Sequence, residues 1–263
     1  MNDFAVLITS HNRREVTKVC LCRLLVSYRD VDCIKLKVYL VDDASSDGTS
    51  DAVKLQYPNV ELINGCGSLY WAKGMRKAWE AAVAERQDWD GYLWLNDDTE
   101  LYPDAIAKML SANNDEKIVV GELENAKGKI VYGTRPGGLF TGNCVLVPRK
   151  VYERLGMICG DYSHAWADSD YAMMAKRARI GVVSAGIVGK AEGHPNRPSL
   201  NGLTLRERVA MLRNPKGWNL HDLWLYRRRN WGLVVAAFSC LHLMVHVIIG
   251  ERQCSCMGSV CRG

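Results

Sequence analysis

Residues 38–49 read VYLVDDASSDGT. Val38–Val41 is a short apolar run, suited to a strand buried on both faces and too short for a helix. It stops on Asp42-Asp43, and Ser46-Asp47-Gly48-Thr49 then supplies a turn from which a helix runs to about Tyr57. The same unit recurs on either side. Phe4–Thr9 (FAVLIT) is another apolar strand, and Asn12 has N-cap chemistry ahead of Val16, Val19, Cys20 and Leu24 at helical spacing. Val60–Ile63 predicts a third strand and residues 70–84 a helix. Tyr92–Leu95 predicts a fourth strand ending on Asn96-Asp97-Asp98, and Pro103 suits the first turn of the next helix. Strand and helix in alternation predict a doubly wound α/β fold with a mostly parallel sheet. Such sheets bind ligands beyond the carboxyl ends of their strands, and both acidic pairs fall there.

Past Leu110 the alternation loosens. Ile118–Leu123 and Cys144–Val147 read as strands, Gly137-Gly138 and Gly142 as loop, and Trp166–Arg179 as a helix with Asp168 and Asp170 near its start. Gly189–Asn201 is a loop rich in Gly, Pro, Asn and His. Trp231–Ile249 is 19 mostly apolar residues interrupted by Ser239, His242 and His246.

The chain has 263 residues, 48% hydrophobic and 24% charged, which predicts a folded protein of one large domain or two small ones and excludes a disordered chain. No internal repeat supports a solenoid or coiled coil. The net charge of +5 comes from residues 201–230, where seven Lys/Arg face only Glu207 and Asp222. A local basic patch argues against a nucleic-acid surface and for an anionic partner met in one place, a phosphate or a lipid headgroup. The ten Cys form no metal-type paired motif in the body of the chain, and Cys254, Cys256 and Cys261 can bind a metal or belong to a disordered terminus. Residues 4–9 are too short, and lack the basic leader, for a secretory signal. A reducing cytoplasmic setting is expected.

Dinucleotide and P-loop fingerprints are absent: Thr9-Ser10-His11-Asn12 stands where a Gly-rich loop would follow the first strand. Adjacent carboxylates at a strand end, as in Asp97-Asp98, can bind Mg2+ or Mn2+ through oxygen, or can form a solvated helix start. An Asp of the Asp42-Asp43 pair can accept a hydrogen bond from a ribose hydroxyl or a base N–H, or belong to a turn. His194 in the GHPNRP loop can complete a metal site, touch a diphosphate, or stay solvated. Arg227, Arg228 and Arg229 can clamp a diphosphate, meet anionic lipid, or cover a solvated helix face. Trp166 can stack on a sugar or fill the core.

Taken in order, AVLITSHNR (5–13), VYLVDDASSDGT (38–49), GSLYWAKGMRKAW (67–79), YLWLNDDTEL (92–101), FTGNCVLVPRKVYERLG (140–156) and HAWADSDYAMMAKRARIG (164–181) resemble the inverting GT-A glycosyltransferases of family two. The resemblance spans about residues 3–230. The third motif and NPKGWNLHDLWLYRRRNWG (214–232) are similar to a bacterial subgroup that builds surface polysaccharides and includes many rhamnosyltransferases. It implies a GT-A domain over 1–230, with a nucleotide-sugar half (1–110) and an acceptor half (111–230), then a C-terminal apolar helix and tail (231–263). It implies a nucleotide-sugar donor, dTDP-rhamnose first and UDP-galactose, UDP-galactofuranose or UDP-GlcNAc next. It implies a glycan or lipid-linked glycan acceptor, a divalent cation, and a place on the inner face of the cell membrane. By position, Thr9 lies beside the nucleotide, Asp43 meets the nucleobase, Asp97 and Asp98 form the metal and diphosphate motif with Asp98 the direct ligand, and Asp168 is the general base. The family usually carries Glu-Asp at the last motif, where this chain has Ala167-Asp168.

Three rivals to rhamnosyl transfer follow. A UDP-hexose-dependent transferase fits the same motifs. A sugar-nucleotide pyrophosphorylase would need a Gly-rich loop with Arg and Lys after the first strand, which is missing. A non-catalytic transferase-like membrane scaffold finds its support in Ala167. Trp231–Ile249 itself reads either as a helix lying in a membrane interface or as a buried core helix.

Overall fold

The computed structural model describes residues 2–193 and 198–249. These form two compact units: one runs through Asp161 and resumes over Ala167–Gly193, and the other joins Tyr162–Trp166 to the described chain beyond 197.

The first unit contains, in chain order, β1 (Asn2–Ser10), α1 (Arg14–Ser27), β2 (Ile34–Asp42), α2 (Thr49–Gln56), β3 (Glu61–Asn64), α3 (Tyr70–Glu85), β4 (Gly91–Leu95), β5 (Glu100–Leu101) and α4 (Ala105–Ala112). It continues with β6 (Ile118–Glu124), β7 (Ile130–Tyr132), β8 (Thr134–Arg135), β9 (Leu139–Phe140), β10 (Cys144–Pro148), α5 (Arg149–Leu155), α6 (Ala167–Arg177) and β11 (Val182–Lys190). The main sheet has the order β3-β2-β1-β4-β10-β6-β11-β5, with β7 on β6. Its first four strands are parallel, as the sequence predicts. Beyond β4 the sheet is mixed, because β10 runs antiparallel to both β4 and β6. This is a mixed α/β fold that fits the GT-A expectation.

Period-2 alternation sorts the side chains. Phe4, Val6 and Ile8 of β1 and Leu93 and Leu95 of β4 point into an aliphatic core with Cys20, Leu21 and Leu24 of α1 and Ile106 and Met109 of α4. Tyr92 and Trp94 point the other way. Trp79 of α3 lies 4.9 Å from Tyr92, and Tyr171 of α6 lies 5.1 Å from Trp94. Both sheet faces are therefore covered, which is why these strands read as unbroken apolar runs.

Several boundaries differ from expectation. Asn12 is not an N-cap: Arg13 holds that position, without a side-chain cap, and Asn12 sits just before it at φ +52°. Asn12 instead accepts from the Ser46 N–H at 2.7 Å, tying the β1–α1 turn to the β2–α2 loop. Pro103 precedes rather than begins its helix, since α4 starts at Ala105 after Asp104. β11 occupies a stretch whose Gly186 and Gly189 hide the strand pattern, and the expected loop from Gly189 begins inside it.

The second unit holds α7 (Leu205–Met211), α8 (Leu220–Trp231) and α9 (Leu233–Ile249). The run expected as one segment over Trp231–Ile249 is broken at Gly232, whose φ of +89° is readily adopted by glycine. α9 is two-sided. Ala236, Cys240, Leu243 and Val247 are buried, the last three in a small core with Leu200 and Leu223. Leu233, Val234, Phe238, Leu241, Val245 and Ile248 are exposed. No described helix is long and apolar enough to cross a membrane.

Candidate active site

The strand order changes direction between β1 and β4, with β2 and β3 on one side and β4 and β10 on the other. A crevice opens at the carboxyl ends of strands at such a point. Thr9, Asp43, Asp97 and Asp98 all lie at those ends.

Thr9 is partly exposed near the end of β1, directly against α3. A Cβ on Gly74 would stand 2.8 Å from the Thr9 Cβ, so only glycine lets the helix approach this closely. Asp43 is almost fully buried. Its carboxylate accepts the N–H groups of Gly67 at 2.7 Å, Leu69 at 2.8 Å and Tyr70 at 3.1 Å, which fixes the start of α3. Gly65 must also be glycine, because a Cβ there would lie 2.6 Å from the Asp43 Oδ1. Much of the Asp43 acceptor capacity is thus already used in shaping the loop at 65–70. His11 closes the cradle, with Nδ1 2.7 Å from the Asp43 carbonyl oxygen. Asn12, Ala44 and Tyr70 all have positive φ. Non-glycine residues held there cluster at ligand sites, where surrounding structure compensates the strain.

Asp97 and Asp98 follow β4 and converge on one atom. Arg13 Nη1 donates to Asp97 Oδ1 and to Asp98 Oδ2, each at 2.9 Å. Asp97 Oδ2 is buried with no hydrogen-bond partner among the described residues. An ionised oxygen left so is costly, and an oxygen-seeking cation would satisfy it. The pair therefore fits Mg2+ or Mn2+, with water or donor oxygens completing the shell. No third His, Cys, Asp or Glu joins them among the described residues. His194, the expected extra ligand, lies outside the described residues, as do Cys254, Cys256 and Cys261.

Burial pushes the Asp97 carboxyl up to about 6, with Arg13 opposing the shift and Asp98 adding to it. A carboxylate must be ionised to hold a cation. Mn2+ binding, followed without nucleotide by electron paramagnetic resonance, should therefore weaken roughly tenfold per pH unit below about 6. Between about 4 and 6 the native state also binds more protons than the unfolded chain, so metal-free stability should fall as pH rises through that window. Flat Mn2+ affinity from pH 5 to 8 would contradict the assignment of Asp97.

The antiparallel pairing of β10 on β4 brings the last functional group in. The Asn96 N–H donates to the Asn143 carbonyl at 2.9 Å, and the N–H of neighbouring Gly142 donates to Asp168 Oδ2 at 3.0 Å. Trp71 of α3 braces the junction: its Nε1–H donates to Asn96 Oδ1 at 2.7 Å, and its ring would be 2.6 Å from a Cβ on Gly142. Asp168 Oδ1 also accepts the Ser169 N–H at 2.6 Å. Desolvation raises the Asp168 pKa, while the Ser169 and Gly142 amides and the Arg135 charge work against the rise. The net effect of burial is a carboxylate more basic than one in water. Asp170, by contrast, is fully buried.

In the second unit, Trp166 stacks on Tyr226 with centroids 4.6 Å apart and backbone φ of +73°. The Arg227 guanidinium lies 4.9 Å from the Trp231 ring centroid, and Arg228 and Arg229 are exposed near the end of α8. Asp222 was legible only as a charge. It is fully buried, accepts the N–H groups of Ser163 and His164, and receives its own cap from Asn219 at 2.9 Å. Arg13 and the Gly142 amide are further groups the motif reading did not single out, since neither bridge is visible without the fold.

Residues 5–178 match the family model described as Glycosyl transferase family 2. The hyaluronan synthase of Streptococcus pyogenes is 36% identical over 89 residues, covering 31% of this chain. The match spans only 20% of that synthase's length. Among solved structures, the mannosyltransferase PcManGT from Pyrobaculum calidifontis, in complex with GDP-Man and Mn2+, aligns with a TM-score of 0.57 at 20% identity, covering 94% of this chain and 76% of that one. S. aureus TarS 1-349 in complex with UDP-GlcNAc aligns at 0.56 and 14% identity, covering 94% and 82%. Glucosyl-3-phosphoglycerate synthase from Mycobacterium tuberculosis, with Mn2+ and UDP, aligns at 0.53 and 12% identity, covering 87% and 80%. At these identities the structural likeness concerns the fold.

Proposed function

The chain belongs to glycosyl transferase family 2, and from that premise we propose that it is an inverting transferase moving a sugar from a nucleoside-diphosphate donor to an acceptor hydroxyl. One observation carries the reading. A carboxylate pair at the end of β4 and a single desolvated carboxylate on α6 are joined through Asn96, Asn143 and Gly142. Residues 1–110 carry the donor side, 111–230 the acceptor side, and 231–263 the apolar C-terminal segment.

The division of labour follows from the chemistry. Thr9 and the loop shaped by Asp43 receive the nucleotide. Asp97 and Asp98 hold the divalent cation, which when bound neutralises charge on the departing diphosphate. Asp168 accepts the acceptor's hydroxyl proton as the oxygen attacks the anomeric carbon. One carboxylate suffices for that step, and its raised basicity suits it. Arg227 and Arg228 supply positive charge for a diphosphate or for lipid headgroups. The donor is dTDP-rhamnose, with UDP-galactose, UDP-galactofuranose and UDP-GlcNAc as alternatives. The motif resemblance supports this order, and GDP-mannose joins the test because PcManGT was solved with it. A thermal-shift screen of these donors and their nucleoside diphosphates, with and without Mn2+, tests the reading. The true donor gives the largest Mn2+-dependent shift. No shift with any nucleotide would overturn it and favour the scaffold.

The acceptor is a glycan, free or lipid-linked, of the kind built at a membrane's inner face in surface-polysaccharide and O-antigen synthesis. The exposed apolar stripe of α9, beside exposed Arg228 and Arg229, supports docking on an anionic membrane surface. Deleting 231–263 would also strip the buried face of α9, so point changes on the outer face are the cleaner test. Phe238→Glu with Leu241→Glu should lower sedimentation with anionic phospholipid vesicles about 10²-fold, because two apolar side chains no longer enter the bilayer. Unchanged sedimentation with normal folding would contradict the docking.

A further inference from the structure

Arg13 occupies a position to which the transfer chemistry gives no role. It stands immediately before α1, behind the Asn12 turn. That turn is fixed from both sides: Ser45 Oγ accepts the Asn12 N–H at 2.8 Å, and Asn12 Oδ1 accepts the Ser46 N–H at 2.7 Å. The backbone thereby sends the Arg13 side chain to the end of β4. There one nitrogen bridges two carboxylates at equal distance, 2.9 Å to each. The side chains of Asp97 and Asp98 are 8% and 20% exposed, against 38% for Arg13. The guanidinium is thus the most solvent-facing member of the trio.

We propose that Arg13 is the resident counter-cation of the Asp97–Asp98 pair, holding the two carboxylates convergent in the metal-free protein and competing with the divalent cation for the same two carboxylates. This rests on the cation reading given above. Adjacent carboxylates in a partly buried corner repel one another, and a positive group between them removes that repulsion. The guanidinium keeps its charge at every physiological pH, so it leaves only by being displaced. A divalent cation bound through the unpartnered Asp97 Oδ2 draws on the same two carboxylates and stands beside the guanidinium, so each positive charge opposes the other. Arg13 is therefore a positioning residue: it preserves the ligand geometry while weakening the cation's hold. By the same electrostatics this site loads poorly with metal alone and better when an anionic nucleotide adds its negative charge.

The direction of the effect separates competition from support. If Arg13 only buttressed the site, removing it would weaken cation binding. If it competes, removing it strengthens binding. The experiment measures free Mn2+ by electron paramagnetic resonance in titrations of the full chain without nucleotide, for the unaltered protein, Arg13→Gln and Arg13→Lys. Arg13→Gln should bind Mn2+ about tenfold more tightly or better, and its melting temperature should rise more on adding Mn2+ than that of the unaltered protein. Arg13→Lys keeps a charge on a shorter side chain that holds the pair less closely, so it should show a smaller tightening in the same direction. It also serves as the deciding variant if Arg13→Gln does not fold. Equal or weaker Mn2+ affinity in the folded variants would overturn the proposal while leaving the cation site standing. If no form binds Mn2+ with or without UDP, the cation reading falls, and this proposal with it.

Discussion

Replacing the proposed base, Asp168→Asn, should cost about 10²–10⁴-fold in transfer, the usual worth of general-base catalysis, while Mn2+-dependent affinity for the nucleoside diphosphate stays unchanged. The separation is expected because, among the described residues, Asp168 is tied to the donor side through the Gly142 amide rather than by contact with Asp97 or Asp98. The substitution is not silent for the fold. Both carboxylate oxygens accept backbone N–H groups, from Gly142 and from Ser169. An asparagine offers one acceptor where two are used, so one donor faces another at a cost of about 1–3 kcal/mol. A lowered melting temperature with full nucleotide binding and collapsed turnover is the expected signature. Asp170→Asn is the informative contrast: Asp170 is fully buried, so its loss should register in stability and leave turnover per folded molecule near normal. If Asp170→Asn abolishes transfer and Asp168→Asn keeps it, the base has been placed two residues away from its true position. If both keep it, the base lies elsewhere.

Asp98→Asn should remove the Mn2+ dependence of nucleotide binding and lower turnover by about 10³-fold, since charge neutralisation by a metal supplies several kcal/mol to such reactions. Asp98 is the more solvent-facing of the pair, at 20% side-chain exposure against 8% for Asp97. It can therefore contribute an oxygen to a cation arriving from solvent with less rearrangement. The fold should survive, because Asp97 retains its own bond to Arg13. Calorimetric titration of UDP and dTDP, with and without Mn2+, reads the effect. Unchanged Mn2+-dependent affinity would remove Asp98 from the site.

Much of the donor side was legible in the sequence because its signals are local. β1, β2 and β4 are covered on both faces, so each reads as an apolar run, and each run ends at polar groups that stand at the strand-end crevice: Thr9, Asp43, Asp97 and Asp98. What the sequence hid depends on pairing at long range. Nothing in Cys144–Pro148 tells that it lies antiparallel beside β4, yet that register carries Gly142 and Asp168 to the site. The bridge from Arg13 spans more than eighty positions, and a guanidinium's reach leaves no periodic trace. In α9, buried and exposed positions are equally apolar: Leu243 faces inward and Leu241 outward, and no pattern of polarity separates them. In the sequence Asp222 counts only as a charge, because its partners, the N–H groups of Ser163 and His164, lie nearly sixty residues earlier.

The account turns on inverting transfer by a single base with cation assistance, and the anomeric configuration of the first-formed product tests that directly. Proton NMR of the reaction mixture, run with the donor selected by the thermal-shift screen, a hydroxyl acceptor and Mn2+, should show a product of opposite configuration to the donor, and chelation of the cation should halt its formation. A product that keeps the donor's configuration, or transfer that continues undiminished after chelation, would contradict the account.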